Sequence, residues 1–150
     1  MADLSNTVRS ALVHALEQLR DQVKEIATAL TEEQLWKKPI EPGNSVGHLI
    51  LHLTGNLNHF VGAQLGKTEY VRDREREFTE SKPPSKADLL KGLDKAVVTF
   101  RRVVTMLTPE ELEAAHPEAR FGTVLSALVH LIAHFALHRG QMTYIVRMLK

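Results

Sequence analysis

The most informative residues of the chain lie in the stretch Val124–Lys150, which reads VLSALVHLIAHFALHRGQMTYIVRMLK. Its three histidines, His130, His134 and His138, follow one another at intervals of four. Because an α-helix turns once in about 3.6 residues, this interval keeps all three rings on one stripe. The stripe also collects mostly apolar residues: Ala127, Leu131, Gln141, Ile145 and Met148. The three rings are therefore predicted to lie on the inward face of a helix.

Imidazole rings on a buried face need partners for their ring nitrogens, since an unpaired buried polar group costs about 1–3 kcal/mol. One divalent metal ion would satisfy several rings together, and histidines four residues apart on a helix are a standard zinc-binding pair. The other interpretation is a hydrogen-bonded network of histidine, asparagine and glutamine side chains without a metal. The spacing alone leaves both interpretations open.

The composition is typical of a globular chain, with 43% hydrophobic residues, 25% charged residues and a net charge of +1. Its 150 residues are enough for one domain with a proper core, predicted to span residues 1–150. The small net charge gives no electrostatic reason to expect binding to nucleic acid or to an anionic membrane. Residues 1–7 are polar and the apolar segment 124–137 is short and interrupted by histidines, so a cytoplasmic location is expected.

The chain contains no cysteine. This absence excludes disulfides, iron–sulfur clusters and a cysteine nucleophile. Any thiol chemistry at this protein would therefore use a thiol that is supplied from outside.

Four long helices are predicted from apolar residues that recur three and four positions apart. They run over about Leu4–Leu30, Ser45–Gly66, Lys86–Leu107, and from Thr123 onward. The first is expected to bury one apolar row: Leu4, Val8, Ala11, Leu12, Ala15, Leu19, Val23, Ile26 and Leu30. In the connection between the second and third helices, the alternating charges from Arg72 to Glu77 are interpreted as a solvated segment with local ion pairs.

The two halves of the chain repeat one pattern. Each first long helix is followed by a capping box, Thr31–Gln34 or Thr108–Glu111, and each second long helix contains HLIxH, at His48–His52 or His130–His134. Two helix pairs joined by a long crossover indicate an all-α four-helix bundle. A pseudo-twofold axis through the bundle would bring the two HLIxH segments face to face.

If the second and fourth long helices pack together, His52 can complete a metal site with two histidines of the last helix. Three neutral imidazoles leave the charge of a zinc-like ion uncompensated, and coordination positions stay open to water or substrate. Such an ion lowers the pKa of a bound water toward about 7 and deprotonates a bound thiol. The arrangement is therefore typical of nucleophile activation and not of structural zinc binding.

The segments LHLTGNLNHFVG and HFALHRGQMTYIVRML resemble the DinB/YfiT-like superfamily of four-helix bundles. The family pattern has a histidine before an apolar residue on the second helix and H-x-x-x-H-R-G-Q on the last, which correspond to His52-Leu53 and His134–Gln141. The resemblance implies an up-down-down-up bundle with a long crossover between helices 2 and 3, and a homodimer. It also implies a zinc or nickel ion on His52, His134 and His138, and a transferase that uses a low-molecular-weight thiol, or a hydrolase.

Three further histidines, His48, His59 and His130, share stripes with these positions. His48 is a candidate for an outer partner of a ligand or for a proton shuttle, since an imidazole titrates near pH 6.5. His59 and His130 are interpreted as structural. The favoured function is metal-assisted attack of a small-molecule thiol or water on an electrophilic small-molecule substrate. The alternative is a non-catalytic, dimeric metal-binding or stress-related bundle.

Overall fold

The computed structural model describes residues 3–150, and within that range the chain is helical without a β-strand. The four long helices are α1 (Leu4–Thr28), α3 (Val46–Leu57), α5 (Lys86–Met106) and α7 (Val124–Met148). The short helices are α2 (Glu32–Trp36), α4 (Arg74–Thr79) and α6 (Pro109–Glu113). A π-helical turn, Asn58–Ala63, continues α3, and a 3₁₀ turn, Ala119–Phe121, precedes α7. Of the polar segment 1–7, residues 1 and 2 lie outside the described range.

Side-chain caps fix where the helices begin. Thr31 and Thr108 both form the reciprocal capping box that the sequence predicts, at the starts of α2 and α6. Hydroxyl caps also open α3, α5 and α7: Ser45, Ser85 and Thr123. Each such cap satisfies a backbone N–H that has no partner within the helix, which stabilises a helix by about 1 kcal/mol.

Contacts between helix ends give the long helices an up-down-down-up order. Arg9, near the start of α1, donates a 2.8 Å hydrogen bond to the carbonyl of Leu107 at the end of α5, so α1 and α5 are antiparallel. A ring nitrogen of His116, shortly before α7, lies 3.0 Å from the carbonyl of Phe60 just beyond α3, so α7 begins where α3 ends. The long crossover, residues 64–85, joins α3 to α5 and contains α4. The predicted bundle topology is confirmed.

Helix α3 is the central element of the bundle. It packs against α4, α5 and α7, and most of its residues are buried on all sides. Three of its buried residues are polar and follow at intervals of four: His48, His52 and Asn56. A polar stripe on so deeply buried a helix needs partners from the neighbouring elements. His48 finds a partner at the end of α4, and His52 finds partners in α4 and α7.

The predicted core face of α1 is wrong in its first half. The residues that face the core are Val13, Leu16, Val23, Ala27 and Leu30. Leu4 is exposed, and an open apolar groove of about 380 Å³ is lined by Val8, Ala11, Leu12 and Ala15 of α1 with Leu125, Val129 and Ile132 of α7. The first half of α1 has apolar residues on two faces, so periodicity alone could not select the inward one. Among the described helices, none is long and apolar enough to cross a membrane.

The end of the second long helix also differs from the prediction. The sequence predicts one helix to Gly66, but the backbone widens into a π-helical turn from Asn58 to Ala63. The amide of Gln64 accordingly bonds to the carbonyl of His59, five residues earlier. Such wide turns are rare and occur frequently at functional sites. Here the turn contains Phe60, whose ring lies beside the candidate site.

Candidate metal centre

Three imidazoles meet between α3 and α7. The Nε2 atom of His134 lies 3.1 Å from Nε2 of His52 and 3.0 Å from Nε2 of His138. His52 projects from the buried face of α3, whereas His134 and His138 lie one turn apart on α7. One ring nitrogen from each residue therefore points toward a common centre, all within 4.8 Å of one another.

The outer nitrogens of two rings are occupied by acceptors. Nδ1 of His52 lies 3.0 Å from Oε1 of Glu77, and Nδ1 of His138 lies 2.7 Å from Oε1 of Gln141. A carboxylate oxygen or an amide oxygen can only accept, so each Nδ1 carries a proton. In the neutral form of either ring, the lone pair is therefore on Nε2 and is directed at the centre. Outer acceptors of this kind orient histidines that ligate a metal.

His134 is held neutral. Burial, followed by the neighbouring rings of His138 and His52, lowers its pKa to about 3. Burial also lowers the pKa of His138, against an opposing hydrogen bond with Gln141. Nδ1 of His134 is buried without a partner among residues 3–150. A neutral ring is the form that ligates a metal. Nε2 of His134 lies 3.0–3.1 Å from Nε2 of both other rings, so a single proton on this atom could form a good hydrogen bond with only one of them.

The donor set fits a divalent ion with open positions. Zinc–nitrogen bonds are about 2.0–2.1 Å long, so tetrahedral ligands are separated by about 3.4 Å. The separations of His134 from His52 and His138, 3.1 and 3.0 Å, need to widen by only a few tenths of an ångström, and the ligand atoms of His52 and His138 lie within 4.8 Å of each other. Among the described residues, the cluster contains three histidines and no carboxylate or thiolate. Three protein ligands leave the remaining positions to water or substrate, as in catalytic zinc sites.

The segment around α4 supports this centre. Residues 73–76 are exposed and the segment forms local ion pairs, as predicted, but the prediction of a solvated segment is wrong for Arg72 and Glu77. Glu77 is only 6% exposed, and its carboxylate accepts two 2.9 Å bonds from Nε and Nη2 of Arg72 besides its contact with His52. Burial alone would raise the pKa of Glu77, but hydrogen bonds from His52 and Arg72, together with the Arg72 charge, lower it. The carboxylate is therefore ionised at neutral pH and holds His52 in place.

Gly55 makes room for Glu77. A Cβ atom built on Gly55 would lie 1.9 Å from Oε2 and 2.7 Å from Cδ of Glu77, which is far inside van der Waals contact. Glu77 and Arg72 were not predicted as site residues, because charge alternation is the usual pattern of exposed segments. Two features of the sequence could have indicated their burial: Phe78, an apolar residue beside Glu77, and a glycine within the second long helix. Phe78 does pack against His52, with ring centroids 4.7 Å apart.

The other histidines lie outside the three-histidine cluster. His48 bonds through Nδ1 to the hydroxyl of Ser45, at 2.6 Å, and through Nε2 to the carbonyl of Glu80, at 3.2 Å. Both of its nitrogens are engaged, so it ties the end of α4 to α3, and Glu77 takes the position of outer partner proposed for it. His59 packs edge-on against Phe60. His130 is exposed beside His134, so the prediction that it lies on the inward face of the last helix is wrong.

An all-α bundle in which three imidazole lone pairs converge defines a class of protein: four-helix bundles with a candidate open metal centre. A family model described as mycothiol-S-transferase, MST, matches residues 11–149, and the chain belongs to this family. The predicted relationship to the DinB/YfiT-like superfamily is thereby confirmed. No curated protein matches the chain significantly.

Two solved structures share the fold. YfiT from Bacillus subtilis, described as a probable metal-dependent hydrolase with an unusual four-helix bundle topology, superposes with a TM-score of 0.75 at 20% identity. The match covers 94% of this chain and 87% of that chain. A conserved protein from Enterococcus faecalis superposes with a TM-score of 0.76 at 17% identity, over 93% of this chain and 95% of that chain. At these identities the likeness establishes the fold alone.

Proposed function

We propose that this protein is a metal-dependent thiol S-transferase, in which His52, His134 and His138 hold a divalent ion such as zinc or nickel. The observation that supports it best is the convergence of three imidazole nitrogens, two of them oriented by Glu77 and Gln141. The family match supports a low-molecular-weight thiol such as mycothiol as co-substrate. Since the chain has no cysteine, the sulfur nucleophile must come from that co-substrate.

When bound, the ion would supply the positive charge that converts the thiol into a thiolate near neutral pH. In the overall reaction the thiol proton passes to solvent, a sulfur–carbon bond forms, and the leaving group departs from that carbon with its electron pair. The chain's own residues position the reactants: Glu77 fixes the ring of His52, and Gln141 fixes the ring of His138.

Hydrolysis, which the description of YfiT favours for that protein, is the second candidate. Attack by water commonly uses a carboxylate or a histidine as a general base within hydrogen-bonding reach. The cavity beside the centre is lined by no carboxylate, and Glu77 is already engaged by Arg72 and His52, so the candidate base in its wall is His130. A thiol whose proton is lost on binding the ion needs no such base, so the transferase is preferred.

The test measures metal content and thiol transfer together. Protein purified without a histidine tag is assayed with mycothiol and a fluorogenic electrophile such as monochlorobimane. We expect turnover to require both metal and thiol, and each of His52→Ala, His134→Ala and His138→Ala to lose most of the metal. His14→Ala, at an exposed position of α1, is the control and should retain both.

Two results would count against the proposal. The first is stoichiometric metal in any of the three ligand variants. The second is metal-loaded protein that transfers no thiol, which would favour the non-catalytic bundle, or a hydrolase if esters or amides are cleaved without thiol. The homodimer and the cytoplasmic location also stay predictions, the first measurable by sedimentation.

A further inference from the structure

A small cavity of about 120 Å³ lies beside the histidine cluster. Its wall is formed by His52, Asn56, Phe60, Arg72, Arg74, Arg120, Phe121, His130 and His134. Three of these residues are arginines and none is acidic. Because the whole chain has a net charge of only +1, this excess of positive charge is a local feature. Pockets for whole ligands measure about 300–1,000 Å³, so this one suits a single compact substituent.

Aromatic rings hold two of the guanidinium groups in place. The Arg120 guanidinium carbon lies 4.5 Å from the ring centroid of Phe121 and 5.5 Å from that of Phe60. Its contact with the carboxylate of Glu118, at 3.6 Å, is longer than a hydrogen bond. Arg74 lies over the ring of Phe78, at 5.4 Å, and forms no ion pair with any described residue. A guanidinium that stacks on a ring keeps its in-plane N–H donors available.

The third guanidinium is used differently. Arg72 is almost buried, with a side chain 10% exposed, and its Nε and Nη2 bind Glu77. Its charge is therefore balanced, and it supports the cavity wall next to Phe60, 5.6 Å from the ring centroid. The N–H donors that make no hydrogen bond to a described residue are those of Arg74 and Arg120, although Arg120 is also ion-paired with Glu118.

Asn56 adds a neutral polar group to the same wall. It is 7% exposed and lines the cavity, where its side-chain amide reaches solvent and makes no hydrogen bond to another described residue. Its NH₂ group can donate to the same acceptor as the arginines.

We propose that this cavity binds an oxyanion substituent of the electrophilic substrate, a carboxylate or a phosphonate-type group, through Arg120, Arg74 and Asn56. This proposal rests on the proposed function, because the reactive carbon of the substrate lies next to the three imidazoles only if they hold the ion that binds the thiol. Substrates of this enzyme are accordingly electrophiles with a compact anion close to the reacting centre. Charge-assisted hydrogen bonds from guanidinium groups supply the selectivity over neutral analogues.

The test measures binding, with no turnover. Zinc-loaded protein is titrated with benzoate, with phenylphosphonate and with benzamide, the neutral isostere of benzoate. We expect at least one anion to bind about tenfold more tightly than benzamide, the difference that one charge-assisted hydrogen bond of about 1.5 kcal/mol produces. Whichever anion binds more tightly identifies the type of oxyanion.

Arg120→Gln should remove most of this preference. The Arg120 side chain is 61% exposed, so its replacement leaves the fold intact, as a melting curve would verify. Arg147→Gln is the matched control, since Arg147 lies over Tyr144 of α7 and outside the cavity. Equal affinities for benzoate, phenylphosphonate and benzamide would overturn the proposal. So would an anion preference that survives in Arg120→Gln, because the anion would then bind the zinc ion.

This experiment can fail independently of the thiol-transfer assay. If the protein prefers the anions but transfers no thiol, the oxyanion site is supported and the proposed transferase function is contradicted. If it transfers thiol but shows no preference for either anion, only the oxyanion site is contradicted.

Discussion

Replacement of Glu77 by glutamine tests whether the α4 segment supports the metal centre. The carboxylate is 6% exposed and accepts from His52 at 3.0 Å and twice from Arg72 at 2.9 Å. A glutamine has the same shape but only one acceptor oxygen. If that oxygen takes the place of Oε1, it still accepts from His52 and from Nη2 of Arg72, but the amide NH₂ then faces Nε–H of Arg72. The reverse orientation leaves His52 without an acceptor. Glu77→Gln therefore cannot satisfy all the donors of both neighbours, and it removes the negative charge.

Two losses of different size follow for Glu77→Gln. Removing an outer partner of a metal-ligating histidine weakens metal affinity about 10- to 100-fold. Leaving the Arg72 charge buried without its carboxylate costs about 3–5 kcal/mol, and the low end applies because the amide retains some hydrogen bonding. The double variant Arg72→Gln, Glu77→Gln removes the unpaired charge, so it should recover much of the stability but not the metal affinity.

Competition with a fluorescent zinc chelator gives the affinity, and urea unfolding of metal-free protein gives the stability. Glu75→Gln, at an exposed position of α4, is the matched control and should leave both quantities unchanged. The reasoning is refuted if folded Glu77→Gln binds zinc within twofold of the unsubstituted protein. In that case the orientation of His52 would not depend on this carboxylate.

Three further predictions follow from the same contacts. Gly55→Ala should displace Glu77 and weaken zinc binding about tenfold, measured by the same competition, whereas Gly92→Ala, whose Cβ would meet nothing within 4 Å, should not. In folded protein, burial lowers the pKa of His134 from its ordinary 6.5 to about 3, so unfolding takes up a proton at any pH between these values. Metal-free protein should therefore lose stability as the pH falls below 6.5, measured by urea unfolding, and His134→Gln should show a smaller loss. Zinc at a hundredfold excess over its dissociation constant should stabilise the fold by about 2.7 kcal/mol, so chelation should lower the melting temperature, but not that of His134→Ala.

The fold was predictable because its determinants are local. Helix positions follow from apolar spacing, and Thr31 and Thr108 at equivalent places in the two halves indicate where the short helices begin. The inward face of α1 was not predictable, since apolar residues lie on two of its faces and the packing of α7 decides between them. Helix α4 was missed for a related reason. Its six residues are held by tertiary contacts of Glu77, which helix propensity does not reveal.

The residues of the candidate site were also predictable only in part. The meeting of His52, His134 and His138 followed from spacing and from the resemblance, and the structure brings these three rings together. Their role as metal ligands stays a proposal. The outer partner Glu77 lies 25 residues from His52 in a polar segment, so no local pattern connects the two. His48 was the sequence candidate because it lies one turn before His52, but its ring bonds to Ser45 and Glu80 instead.

The internal repeat is broken at one position beside the histidine cluster. In HLIxH of both halves, the second histidine reaches the centre, His52 from α3 and His134 from α7. One turn further along α7 comes His138, which contributes the third imidazole, whereas the equivalent position of α3 is Asn56. A histidine there would offer a fourth imidazole, and a closed set of four protein ligands is the arrangement of structural zinc sites. The asparagine instead lines the cavity beside the cluster. If the cluster holds a metal ion, as proposed, this single departure from the repeat leaves it three protein ligands and not four.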